Sequence, residues 1–303
     1  MPLLRMALGT ALVAWATTAR AADSEPSKWA IGADSVFSTD AENTQVFKTG
    51  FFVDVRHKGP EDYLGFRLEE ARFRPLGQAS SDRQRAYVRA ASTLGKWKWN
   101  ATAGTDGRTV LGSAGIHDES KFRKELFLER EIVETPLGLS RGIYYTFAGA
   151  ALDLPANEDN VLTLVAGVQK FTGDNVRTHA RATFVHVASR RLGLSVQLRT
   201  RYFHDSVPRE YDYYSPRWYA QAVPVLQVRR FVDGWRYLVA GGVGVQRDNG
   251  TSWRRSSYFN AQVTSPPKRG WSGNASALFS ETPTATGNSY NFFQLSLGVT
   301  RAL

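Results

Sequence analysis

Arg177, His179 and Arg181 stand two residues apart, and the chain soon returns to the pattern with Gln197, Arg199 and Arg201, then with Gln221, Gln227 and Arg229. On extended backbone, residues two apart share a face, and neighbouring strands lie ~4.8 Å apart, so three such strands gather these side chains into one patch. Its chemistry is anion attraction. Guanidinium forks grip carboxylates, and inside a narrow aqueous pore the low-dielectric wall strengthens the pull of a basic patch. The same arginines could instead brace a wall by pairing with Glu69, Glu125, Glu129 or Glu131. The residues by themselves leave both roles open.

A second constellation lies between these strands: Arg209, Tyr211, Tyr213, Tyr214, Arg217, Trp218 and Tyr219 in the loop DSVPREYDYYSPRW and just beyond it. Flat aromatic faces accept the C–H faces of sugar rings, and arginines grip hydroxyls or carboxylates. The loop therefore reads as a carbohydrate contact at a pore exit. The competing reading is a structured loop that packs its tyrosines at a membrane interface.

Enzymatic chemistry finds less support. His57, His117, His179, His186 and His204 show no HExxH spacing, and His179 and His186, seven apart on a strand, face opposite ways. His204, Asp205 and Ser206 supply the residue types of a triad, but three adjacent residues do not converge on one another. A lipid-modifying enzyme built from distant strands stays as an alternative. The chain has no cysteine, which excludes disulfides, thiol nucleophiles and a lipoprotein anchor. The Gly241–Gly244 run reads as a strand with small residues and not as a phosphate loop. No metal or cofactor is expected. Despite the net charge of +10, the arginines alternate along strands instead of clustering on a helix or tail, so nucleic acid is not an expected partner.

The elements that must position these residues are strands. From Gly193 onward, Leu194, Val196, Leu198, Thr200 and Tyr202 fall on one face and Ser195, Gln197, Arg199, Arg201 and Phe203 on the other. A strand with apolar residues on one side and guanidinium groups on the other divides hydrocarbon from water. Alternation of this kind gives about sixteen strands, near 28–37, 46–56, 63–74, 84–92, 96–104, 108–116, 121–130, 142–152, 160–170, 177–187, 193–203, 217–230, 235–247, 256–264, 271–280 and 289–303. Gly112 and Gly115 dilute the pattern of the sixth, and losing it with its neighbour would leave about fourteen. The fold class is all-β: a transmembrane antiparallel barrel with a wide, polar, water-filled interior.

Arg5, the apolar run Met6–Ala16 and Ala19-Arg20-Ala21 form a secretory signal peptide over 1–21, cleaved near Ala21, with 22–303 as one barrel domain after a short tail, 22–27. The address is the bacterial outer membrane, and lipid is the first partner. Chain ends in the periplasm would make KGPED, STLGK, HDES, LPANEDN, ASRRLG, VDG and SPPKRG periplasmic turns. The outward set would include STDAENT, PLGQASSD, the Glu131–Arg141 stretch, FTGDNV, DSVPREYDYYSP, RDNGTSW and ETPTATGN. Trp29, Trp97, Trp99, Trp235 and Trp271 then start strands leaving the periplasm, and Trp218 and Trp253 lie near outer loops, as two interfacial girdles require. The last strand ends in Leu303, where a terminal aromatic is the more familiar ending.

DYYSPRWYAQAVPVLQVRR followed by GWRYLVAGGVGVQRD resembles the Y-(Y/F)-S-P-x-x-Y signature, W-x-Y strand and G-x-Q strand end of outer-membrane barrels of exopolysaccharide export, in particular the C-terminal barrel of the bacterial cellulose-secretion subunit. VETPLGLSRGIYY and FTGDNVRTHARATFVH are similar to the same group, and in length the chain looks like YaiO-like outer-membrane proteins. The resemblance covers about 122–303 and implies a sixteen-stranded passive conduit through which a polysaccharide, anionic by the lumen charge, leaves the cell. Relatives of this kind carry a periplasmic helical-repeat region that meets a synthase. Only a few residues separate signal from first strand here, so either a separate protein, a periplasmic or inner-membrane synthase partner, supplies it, or the barrel has another role. A general or anion-selective porin, or a structural barrel, is the alternative.

Overall fold

The computed structural model describes residues 29–40, 44–283 and 289–303; the expected signal peptide and tail lie outside them, as do parts of STDAENT and ETPTATGN. The strands are β1 (Ala30–Asp40), β2 (Gln45–Gly59), β3 (Asp62–Arg74), β4 (Ser81–Leu94), β5 (Trp97–Thr105), β6 (Val110–Asp118), β7 (Lys124–Ile132), β8 (Tyr144–Pro155), β9 (Asn160–Phe171), β10 (Val176–Ser189), β11 (Leu194–Asp205), β12 (Trp218–Val232), β13 (Trp235–Asp248), β14 (Arg254–Thr264), β15 (Trp271–Pro283) and β16 (Ser289–Ala302). One short helix, α1 (Pro136–Arg141), lies between β7 and β8. Each strand pairs antiparallel with its neighbours in sequence, and β1 closes on β16 with Ala30 opposite Ala302 and Phe37 opposite Leu295. Closure leaves no free edge, which is what allows strands to cross hydrocarbon with every ladder group paired. All sixteen expected strands form, including the two weakest, β6 and β7.

The period of two sorts the wall. Phe51 and Val53 on β2, Phe66 and Leu68 on β3, Leu126 and Leu128 on β7, Val196 and Leu198 on β11, and Leu295, Leu297 and Val299 on β16 are exposed on the outside. Their neighbours in sequence turn inward. An apolar belt on the outside of a closed barrel is stable only against lipid. Trp29, Trp235 and Trp271 are exposed at the rim that carries the chain ends, and Trp253 at the opposite rim. At the first rim Trp235 stacks on Tyr237 at 6.2 Å, and Arg301 lies 4.9 Å over the Trp271 ring. Such rings sit at the boundary because the body is apolar and the N–H keeps a wet partner.

Turns at the chain-end rim are short. Asp233 and Gly234 both take positive φ, 50° and 79°, the two-residue turn whose twist matches paired strands and which favours Asp-Gly. The two longest connections described, 133–143 and 206–217, both lie at the other rim. That asymmetry matches the expected inward and outward sets, but the longest connections do not project from the barrel.

Candidate functional site

The register places Arg177, His179, Arg181, Gln197, Arg199, Arg201, Gln221, Gln227 and Arg229 on the inner face. Arg177 is opposite Asp205, His179 opposite Phe203, Arg181 opposite Arg201, and Thr183 opposite Arg199. On the next ladder Arg201 faces Gln221, Gln197 faces Val225 and Ser195 faces Gln227, while Arg229 faces Leu238 on β13. Arg236 and Arg254 extend the same face onto β13 and β14.

These side chains divide into two groups. Arg177 is buried, donates from Nε to Asp205 Oδ1 at 2.8 Å, and lies 4.4 Å over Phe203. His179 is buried between Phe147 and Phe203 and bonds Gln169 at 3.1 Å. These two belong to the packed wall. Arg199 instead reaches sideways: its Nε and Nη2 donate to Gln197 at 2.9 and 2.8 Å, and its guanidinium lies 4.6 Å over the Tyr258 ring on β14. The four carboxylates named as alternative braces have other partners: Glu69 pairs with Arg67 and Arg85, Glu131 with Arg85 and Lys48, and Glu125 with Arg123, while Glu129 accepts from the Tyr145 hydroxyl.

The aromatic loop packs several of its rings into the wall, as the second of its two readings expects. Tyr213 is 3% exposed and stacks on Phe171 at 4.3 Å; its hydroxyl accepts from Asn175 and donates to Glu210. Tyr219 is fully buried, stacked on Phe203 at 4.9 Å, with its hydroxyl on Gln246 at 2.8 Å. Tyr214 donates to Asp248 at 2.6 Å. Burial first, and then the neighbouring carboxylates, push the Tyr213 and Tyr214 hydroxyls above the ordinary phenol range, so both remain donors. Trp218 points outward, 5.7 Å from the Arg247 guanidinium. Arg209 and Arg217 are exposed, and Tyr211 is half-buried beside Tyr213. The physical reason is that Phe171 on β9 and Phe203 on β11 take the ring faces of Tyr213 and Tyr219 that a sugar would need.

The stretch 133–143, expected as an outer loop, folds into the barrel. Thr135 caps α1, its hydroxyl accepting from the Gly138 N–H at 3.0 Å; Pro136 opens the helix and Gly142 ends it in the left-handed region. Leu139 packs in a buried cluster with Val46, Ala71, Phe73, Tyr87 and Leu111, all inner-face residues of β2 to β6. Lys48 on β2 pairs with Glu134 at 2.7 Å and Glu131 at 3.6 Å. Arg83 Nη2 donates to the Leu139 carbonyl at 2.7 Å. From the other side, Asp212 accepts from Thr135 Oγ1 at 2.6 Å and from the Leu137 N–H at 2.8 Å. The interior is therefore not a uniformly wide aqueous bore. The β2 to β6 side is filled by an apolar plug and an ion-pair chain from Asp34 through Arg67, Glu69 and Arg85 to Glu131. The readable signal was Thr135-Pro136 followed by Gly142, a helix frame around the apolar residues Leu137, Leu139 and Ile143.

Asp106, in the β5–β6 loop, ties this plug to the wall. It accepts from the Tyr144 hydroxyl at 2.8 Å and from the N–H groups of Arg108 and Thr109, with Arg83 at 3.3 Å. Burial alone would raise its pKa, but these hydrogen bonds and the Arg83 charge outweigh that and hold the carboxyl below the ordinary aspartate range. A depressed carboxylate contributes stability that is complete above its unfolded value, near pH 4, and is lost as the pH falls through its folded value. The plug is expected to loosen only on strong acidification, read as a rise in bilayer conductance below about pH 4 that Asp106→Asn displays already at neutral pH.

Two further histidines have ordinary partners: His57 bonds Asp54 at 3.0 Å and His186 bonds Asn160 at 3.0 Å. Among the described residues no group of three or more His, Cys, Asp or Glu is placed to hold a metal ion.

No family model matches the chain, and no curated protein matches its sequence. Among solved structures it is similar to a bacterial polysaccharide outer membrane secretin, at 12% identity and TM-score 0.68, over 92% of this chain and 100% of that one. Weaker likenesses are to OprD of Pseudomonas aeruginosa, 11% identical with TM-score 0.47 over 91% of this chain and 95% of that one, and to the KdgM porin in complex with disordered oligogalacturonate, 9% identical with TM-score 0.36 over 90% and 99%. At such identity the agreement with the outer membrane secretin is one of fold: the chain is a closed, sixteen-stranded antiparallel β-barrel with an apolar outer belt.

Proposed function

We propose that the barrel is an outer-membrane channel through which an oligosaccharide or polysaccharide leaves the cell, moved by a synthase partner on the other side. The observation that carries this reading is the division of the interior. Around the ring, β2 to β6 and β10 to β14 occupy opposite halves; the first half is filled by α1 and its ion pairs, and the second presents guanidinium, amide and hydroxyl groups. A polar strip along one wall suits a hydroxyl-rich chain, which exchanges water for side-chain hydrogen bonds as it advances. The polysaccharide secretin of the same fold supports the reading.

In planar bilayers the purified protein is expected to conduct with anion preference, and Arg199→Gln with Arg201→Gln to move the reversal potential toward zero. A folded barrel that passes no current under any applied voltage would overturn the proposal. The second reading, a porin for small anions, is favoured by α1, which narrows the interior as a constriction does. Partial block of the current by added oligosaccharides, with dwell times that lengthen with chain length, separates the glycan conduit from the small-solute porin.

A further inference from the structure

We infer that the inner wall at β10, β11 and β14 holds an anion subsite, built by Arg199 and Tyr258 with Arg181 and Arg201 beside them, which takes the carboxylate groups of an anionic glycan. The inference rests on the channel reading and names the substrate class.

Its first basis is the register. Arg181 and Arg201 stand directly opposite each other on adjacent strands, and like charges so placed are destabilising in an antiparallel pair. Arg199 follows two residues from Arg201 on the same face. Arg181, Arg199 and Arg201 therefore line one stretch of inner wall, with the Arg201 guanidinium over Phe203 and Tyr219 at 5.3 and 5.8 Å and that of Arg199 over Tyr258, and an entering anion is drawn by their summed charge.

The second basis is how Arg199 is held. Between β12 and β14, the inner face of β13 carries Gly242 and Gly244, opposite Tyr258 and Ser256. With no side chain on those positions, groups from one side lie across β13 to the other: Gln221 Nε2 donates to Ser256 at 2.7 Å, and Arg199 extends over the Tyr258 ring at 4.6 Å. Two contacts to Gln197 fix one edge of the Arg199 fork. Among the described residues its Nη1 and the Tyr258 hydroxyl are buried donors with no acceptor, and buried donors are ordinarily satisfied. Val223 and Val225, both buried, flank the strip and lower the local dielectric. A carboxylate accepts from the guanidinium edge and the phenol at once, with no proton to lose and no metal required.

The test uses the full barrel in detergent, titrated calorimetrically with oligogalacturonate, a neutral cello-oligosaccharide and a cationic chitosan oligomer of equal length. Oligogalacturonate is expected to bind at least tenfold more tightly than either of the others. Arg199→Gln should weaken it by about tenfold, about 1.4 kcal/mol; Arg199→Lys should retain part of the binding, and Tyr258→Phe should lose a smaller part. Retained heat-modifiable migration in electrophoresis shows that each variant is folded. Equal binding of the three oligomers, or no change on Arg199→Gln, overturns the subsite. Because binding is read without current, the two proposals fail separately. A barrel that conducts but does not discriminate keeps the channel and loses the subsite, and one that binds oligogalacturonate without conducting does the reverse.

Discussion

Lys48→Met is expected to release α1 and raise single-channel conductance several-fold without unfolding the barrel. Lys48 is 2% exposed, set between Glu134 at 2.7 Å and Glu131 at 3.6 Å. Removing one partner of a buried pair leaves an uncompensated charge and costs about 3–5 kcal/mol. That cost falls on the least self-sufficient element of the molecule. A helix of six residues has too few hydrogen bonds to stand without tertiary packing, and Glu134, drawn toward water, carries the helix with it. The wall, made of sixteen ladders closed in a ring, does not share the loss. Lys48→Met combined with Glu134→Gln should return conductance most of the way to wild type, because the stranded charge is then gone. Heat-modifiable migration should be unchanged in both. Wild-type conductance in the single variant would mean that α1 does not limit the path.

The wall was legible in the sequence because a barrel in lipid is forced to display its grammar: outward residues must be apolar, and the period of two cannot drift without exposing an arginine to hydrocarbon. Even β6 is readable in retrospect. Gly112, which diluted its pattern, sits at φ +144° with its Cα face against the Thr102 carbonyl, so the glycine serves the pairing it seemed to weaken. The interior was less legible, for a physical reason. Inner-face residues answer to partners across the lumen, far away in sequence: Lys48 to Glu134, Arg83 to Leu139, Asp212 to Thr135. Alternation says which side a residue faces and nothing about which chord of the ring it completes. So 133–143 read as an outer loop, and the tyrosines of 206–217 stayed open between sugar contact and loop packing, while their partners waited on other strands.

The same limit left Arg177 and Arg199 indistinguishable as sequence, and Asp205→Asn separates them. Arg177 and Asp205 are both buried, joined at 2.8 Å, and Arg177 also donates to the Tyr214 carbonyl; Asn175 bridges Asp205 to the Tyr213 hydroxyl. An amide at 205 withdraws the charge that offsets a guanidinium in an aromatic pocket, again at about 3–5 kcal/mol. The loss is local to the ends of β10 and β11 and to the loop they hold. That loop carries Asp212, which grips α1 through Thr135 and Leu137, so loosening it also loosens the plug. Asp205→Asn is therefore expected to speed proteolytic cleavage within 206–217 by tenfold or more, since the open population follows the local free energy at about 1.4 kcal/mol per decade, and to make the current noisier without changing its anion preference. Arg199→Gln should do the opposite, shifting the preference and leaving cleavage at the wild-type rate. Should Arg199→Gln instead open the loop while Asp205→Asn shifts selectivity, Arg199 would be the brace and Arg177 the lining group, and the division of the inner face drawn from the hydrogen bonds would be wrong.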